Sequence, residues 1–325
     1  MRKYLRIITL SVLISLILFS FNGCIRGPFR KPVSEKPSIP ERISRGAYRE
    51  PQLTVYIADE KRTQKMNLED YVAGVVAGEM KNDWPLEALA AQAIIARTYV
   101  LEFISSKGGS KYGNADISTD IEEAQAWNAQ GVNDRIKKAV NMTRGKVAVY
   151  NGKYIKAWFH AHSGGTTAMA KEGLAYKGQE PPYIKSVKSP DIDAGPAEDR
   201  AWSAVFTRDE VRALLKDKLG RDVGPVESIT IVDKGPSGRV VRLRVNGQEF
   251  SGPDFRIALG STRMKSTLLT DLKIDGDKVV IKGKGYGHGV GMSQWGANVM
   301  AKQGKTPEEI VKFFFKDIDI VKLWR

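Results

Sequence analysis

Apolar and polar positions alternate from Leu53 to Ile57, the period of a strand with one buried face. Asn67, with Asp70 three residues on, resembles a capping box, and a helix is expected from Leu68 to about Met80. At 100° per residue, Leu68, Val72, Val75 and Val76 fall on one stripe, and Glu79 falls in the middle of it. Pro85 is well placed to start a second helix. Its apolar face runs through Leu86, Leu89, Ala90, Ala93, Ile94, Val100, Leu101 and Ile104 to about Ser105, with Arg97 at the centre. A strand-like run begins at Lys153 and leads into Trp158-Phe159-His160-Ala161-His162, within a strand-rich stretch from Lys146 to Thr166. Beyond it, a helix is expected near Arg208 to Leu219, strands from Glu227 to Ile281, and a terminal helix after Pro307. This mixture predicts an α+β fold, and two interleaved lobes with a cleft between them are expected.

Before the first strand the pattern is different. Met1-Arg2-Lys3-Tyr4-Leu5-Arg6 is a basic start followed by an apolar run from Ile7 to Phe21, which reads as an export signal. The only cysteine, Cys24, comes just after this run, so no intramolecular disulfide can form and the thiol sits where a lipoprotein would be acylated. The alternative is an uncleaved membrane anchor; either way the chain is expected to be membrane-tethered outside the cytoplasm. Arg26 to about Glu50 carries Pro28, Pro32, Pro37 and Pro40 among charges with no apolar period, the signature of an extended spacer. Signal or anchor (1–24), linker (25–50) and a folded domain from about Pro51 to Arg325 follow from this division.

The net charge of +14 raises nucleic acid as a partner, but there is no recognisable nucleic-acid module or dense basic stretch, and none is expected. Attraction to anionic envelope polymers and a plain solvated basic surface both remain open.

Candidate chemistry begins with Glu79, because a carboxylate on an apolar stripe has its pKa raised by burial, as a general acid near neutral pH requires. If Gly78 ended the helix, Glu79 would be only a solvated loop residue. Arg97 needs a partner too, either a carboxylate, an anionic ligand or the backbone of a site wall. A direct pair with Glu79 would lower the acid's pKa, so another acceptor is expected; an ordinary structural ion pair fits equally well. All three histidines lie in two glycine-flanked segments, His160-Ala161-His162-Ser163-Gly164-Gly165 and Gly285-Tyr286-Gly287-His288-Gly289-Val290-Gly291, which read as walls of a site. In an extended backbone Gly283, Gly285, Gly287, Gly289 and Gly291 would leave one face bare. Their spacing matches neither nucleotide-binding glycine pattern. His160 and His162 would share one side of a strand, but no third metal ligand is evident, and no metal or cofactor is expected. A serine nucleophile at Ser163 or Ser293 lacks a Gly-x-Ser-x-Gly elbow.

Leu68 to Met80, Ala90 to Tyr99, His160 to Gly165 and Gly285 to Ala297, taken in order, resemble the stage II sporulation protein D family, and the resemblance runs from about Leu53 to Trp324. It implies a lytic transglycosylase of bacterial peptidoglycan with Glu79 as the catalytic acid/base. It also implies a substrate cleft lined by His160, His162, Ser163, Tyr286, His288, Ser293 and Gln294. Arg97 is expected to contact substrate there, and Trp84, Tyr99 or Trp295 to stack on sugar rings. A hydrolase would need a second carboxylate, for which Asp83 and Glu87 are candidates by closeness in sequence. Sporulation members can carry a cysteine-histidine metal site; Glu123-Ala124-Gln125-Ala126-Trp127 occupies that stretch here without Cys or His. Some members act as enhancers of wall amidases, so an amidase joins glycan strands as an expected partner. The lipoprotein-like start favours general wall remodelling over sporulation.

Overall fold

The computed structural model describes residues 35–325, so the expectations placed on the N-terminal signal and Cys24 lie outside the described residues. Order begins before Pro51: a 3-10 turn at Glu41–Ile43 places Ile43 in the core at 2% exposure, and Arg42 pairs with Asp116 at 2.5 Å. Proline content marks an extended path, but it cannot show that one isoleucine on that path docks onto the domain.

β1 (Gln52–Ile57) buries Leu53, Val55 and Ile57, as its alternation predicts, and is flanked by antiparallel β2 (Arg62–Asn67). β2 escapes sequence pattern because it is a polar edge strand. α1 (Leu68–Glu79) starts where expected, yet Asn67 makes no side-chain cap. Instead the Leu68 amide donates to the Pro51 carbonyl and the Glu69 amide to the Glu50 carboxylate, so the residues before β1 satisfy the orphan donors.

α2 (Leu86–Lys107) is stopped by Gly108 in the left-handed region, φ 78°. The sequence suggests one apolar face, but the helix is buried on nearly every side from Ala88 to Thr98. Its run of alanines lets neighbours close in, and each fully buried Leu or Ile contributes roughly 1.5–3 kcal/mol. By length and composition this helix could cross a membrane; here it is the axis of the core.

β3 (Ile117–Ser118) adds to β1 in parallel, and α3 (Asp134–Met142), capped by the Asn133 side chain, packs on α2. β4 (Lys146–Tyr150) pairs with β5 (Lys153–Tyr154), and β6 is only Phe159–His160. The single strand-like run therefore breaks in two, with Ile155 and Ala157 buried at the break. Short helices α4 (Ala170–Leu174) and α5 (Ala197–Arg200) follow.

A second hydrophobic core then forms around Phe206, Leu215, Leu243, Phe255 and Ile281. It comprises β7 (Trp202–Thr207), α6 (Arg208–Leu219), β8 (Ile229–Lys234), β9 (Val240–Val245), β10 (Gln248–Ser251), α7 (Gly252–Ala258), β11 (Leu269–Asp275) and β12 (Lys278–Gly283). The strand orders are β10-β9-β8 and β11-β12-β7. α7 interrupts the expected strand series; Ser251 caps it and Pro253 sits in its first turn. The chain then returns to the first core through β13 (Met292–Ser293), α8 (Gln294–Lys302), α9 (Pro307–Phe314) and β14 (Asp319–Lys322). β13 pairs with β6 in parallel and β14 with β4, so the fold is α+β with one core nested in sequence inside the other.

Candidate active site around Glu79

Glu79 is the last residue of α1 and opens into a cavity of about 410 Å³. The walls come from α2 through Tyr99, the loop before α3 through Gln125, β6 through His160, the glycine-rich loop through Tyr286 and His288, and α8 through Gln294. All are segments outside the second core, so the cavity opens within the larger packing unit. The Ala126 amide donates to Glu79 Oε1 at 2.8 Å, and Gln294 Nε2 reaches Oε2 at 3.4 Å and the Glu79 carbonyl at 3.2 Å. Gly78 makes the first contact possible, because a Cβ there would lie 2.8 Å from the Ala126 carbonyl carbon. Burial pushes the Glu79 carboxyl up to about 7; the two hydrogen bonds pull the other way and lose.

His160 and His288 face each other with ring centroids 5.7 Å apart. Burial and the Arg239 charge hold His160 down to about 3, and burial also lowers His288 well below the usual histidine range. The two walls meet because the glycine-rich loop is not an extended ribbon with a bare face. Gly285, Gly287, Gly289 and Gly291 all have φ between 71° and 103°. A Cβ on Gly287 would lie 2.8 Å from the His160 Cβ, and one on Gly291 2.0 Å from the Trp158 carbonyl oxygen. The alternate glycines thus serve left-handed turns and close approach to β6.

Six expected site residues are placed elsewhere. Arg97, fully buried, forks onto Glu69, with Nη2 2.5 Å from Oε2, and donates to the carbonyls of Ala93 and Lys146. The same Glu69 carboxylate accepts from the Gly145 amide and Trp324 Nε1, so this is a structural ion pair away from the cavity. Ser163 and Ser293, both buried, donate their hydroxyls to Asp191 at 2.6 and 2.5 Å. His162 points to the Ala194 carbonyl at 2.9 Å and is sealed from the cavity, because the chain leaves the strand geometry after His160 and the two rings part. Trp84 and Trp295 pack on each other at 4.5 Å, and neither lines the cavity.

Asp191, Arg239 and Gln125 were not singled out from sequence. Arg239, fully buried just before β9, donates to the carbonyls of Ser163 and Thr166 and lies against Gly289, pinning both histidine segments. Gln125 lies in the stretch that was notable only for lacking Cys and His. Neighbouring Glu123 is taken up by Ser110, Ser118 and the Lys111 amide, so the segment does not supply a metal donor set. Among the described residues no three His, Cys, Asp or Glu gather as metal ligands.

The chain is 33% identical over 280 residues to Stage II sporulation protein D of Bacillus subtilis, covering 82% of this chain and 78% of that relative. It belongs to the stage II sporulation protein D family. An uncharacterised protein of Brachyspira hyodysenteriae is 35% identical over 260 residues, covering 79% of this chain and 67% of that relative. An amidase enhancer of Bacillus subtilis is 29% identical over 288 residues, which is 74% of this chain and 39% of that longer protein. The profile described as Stage II sporulation protein matches residues 56–150, and one described as a domain of unknown function matches 191–291. The first match holds Glu79 and Gln125, the second Arg239 and His288, while His160 and Gln294 lie outside both.

Proposed function

We propose that the chain is a lytic transglycosylase that cuts the glycan strands of peptidoglycan between N-acetylmuramic acid and N-acetylglucosamine, acting outside the cytoplasm while tethered by its N-terminus. The observation that carries this reading is that Glu79 is the only carboxylate among the described residues lining its cavity. Asp83 is exposed, and neither it nor Glu87 lines the cavity, so the second carboxylate that a hydrolase of the usual kind needs is missing there. A lyase needs one group. Protonated Glu79 gives its proton to the glycosidic oxygen as the C1–O bond breaks. The resulting carboxylate takes the proton of the muramic C6 hydroxyl as O6 bonds to C1. A 1,6-anhydro end forms, no water is consumed, and Glu79 ends protonated. A carboxyl poised near 7 suits both halves of that exchange.

A second reading is supported by the relative named amidase enhancer: the chain would bind glycan and stimulate a wall amidase without cutting. Mass spectrometry after incubating wild type and Glu79→Gln with purified glycan strands, with and without stem peptides, separates the two. Anhydro-ended fragments from the wild type alone support the lyase. Binding without product in every condition leaves the enhancer.

A further inference from the structure

Two side chains on the wall of the Glu79 cavity carry polar atoms with no partner among the described residues. Gln125 is 2% exposed, and neither its amide oxygen nor its amide nitrogen is hydrogen-bonded. His160 is 4% exposed with Nε2 unbonded. Buried amides and imidazoles are ordinarily paired, so these groups ask for a ligand. Their chemistry says which kind. His160 Nδ1 lies 3.1 Å from the Val290 carbonyl oxygen, which can only accept, so Nδ1 carries the hydrogen. In the neutral ring Nε2 is then a bare lone pair. The neighbouring His288 does not supply the missing partner, since its Nδ1 accepts from the Val290 amide at 3.0 Å and its other ring nitrogen is taken up by the Phe159 backbone. Gln125 offers a donor and an acceptor on one planar group.

An amide donor and a nitrogen acceptor thus lie buried in two residues of the cavity wall, beside apolar wall from Ile121, Ala124 and Phe159. A hydroxyl can accept from the amide and donate to the imidazole, but it leaves the apolar wall unused. A secondary amide bearing a methyl meets all three at once: a carbonyl to receive, an N–H to give, and a methyl to bury.

We propose that Gln125 and His160 hold the 2-acetamido arm of a sugar, with Gln125 Nε2 donating to the arm's carbonyl and the arm's N–H donating to His160 Nε2. This rests on the glycan reading for the class of ligand and adds to it the group that is recognised and the residue that sets specificity.

The test uses the full chain carrying Glu79→Gln, so that no turnover occurs, and calorimetric titration with two probes. One is the β-1,4 tetramer of N-acetylglucosamine, the other its de-N-acetylated counterpart. The expected result is a preference of at least about tenfold for the acetylated tetramer, because a buried polar group left unpaired by the wrong ligand is a strong discriminator. Adding Gln125→Leu should reduce that preference below about threefold with the melting temperature unchanged. Gln125→Glu, which keeps shape and acceptors but removes the donor when ionised, should do the same. Equal binding of both tetramers, no binding of either at millimolar concentration, or a preference that survives both substitutions overturns the assignment. The outcome is independent of cleavage. A preference that depends on Gln125 in a chain that yields no anhydro product would keep this inference and discard the lyase; anhydro product without the preference would do the reverse.

Discussion

The Ala126 amide holds Glu79 Oε1 at 2.8 Å, joining the end of α1 to a loop 47 residues further along the chain. This bond orients the carboxyl without supplying a counter-charge, so burial is left to set its proton affinity. If Glu79 works as acid and then base, kcat/KM should fall as pH rises through about 7. His160, held near 3, should contribute no limb around 6.5. A pH profile on glycan strands reads both features, and a second limb near 6.5 would contradict the neutral-histidine wall. Glu79→Gln should reduce turnover by about 10²–10⁴-fold.

The same carboxyl makes folding stability depend on pH. Its folded-state value lies above the unfolded one of 4.5, so the folded chain binds the proton more tightly. The stabilising contribution is complete below about 4.5 and is lost as pH rises through about 7. Glu79→Gln should therefore be more stable than wild type at pH ~8 by about 2 kcal/mol, allowing for partial exposure, and the gap should close toward pH ~4. Denaturant titration at the two pH values measures it.

Arg97→Met should cost about 3–5 kcal/mol, because it leaves Glu69 charged and buried against Trp324 and the Gly145 amide. Whatever fraction remains folded should bind glycan as the parent does, since Arg97 is remote from the cavity. Urea unfolding paired with binding per folded molecule distinguishes this from a substrate contact, which would raise KM with little loss of stability.

Gly291→Ala should destabilise by more than about 2 kcal/mol, the sum of a left-handed φ of 71° and a methyl driven into the Trp158 carbonyl. Gly276→Ala, at a φ of 59° with open space around it, should cost only about 1 kcal/mol. The difference between the two thermal shifts isolates the close approach from the backbone strain.

Local periodicity was a reliable guide wherever an element's identity depends on its own residues. β1, α1 and the whole of α6 stand where apolar spacing and turn residues place them, and Glu79 is on the helix. Periodicity misled where context decides. Gly283 does end a strand, but the other four alternating glycines take left-handed φ values, with Gly287 and Gly291 packed against His160 and Trp158. Polar β2 passed unnoticed because it is defined by the strand it pairs with, whereas α3 was missed although Asn133 and its apolar spacing mark it locally.

The sequence alone determined which faces of β1 and α1 turn inward and that Glu79 and Arg97 are polar residues set among apolar ones, since hydrophobic period and the cost of burial are properties of the local chain. It also brought Glu79 and the two histidine segments forward as chemistry. Only the tertiary structure decided the partners: Glu69 for Arg97, Asp191 for Ser163 and Ser293, the Ala126 amide for Glu79, and none among the described residues for Gln125. A buried polar group finds its partner across tens or hundreds of residues, and no spacing rule encodes that distance; the partner is settled when the packed elements bring the groups together.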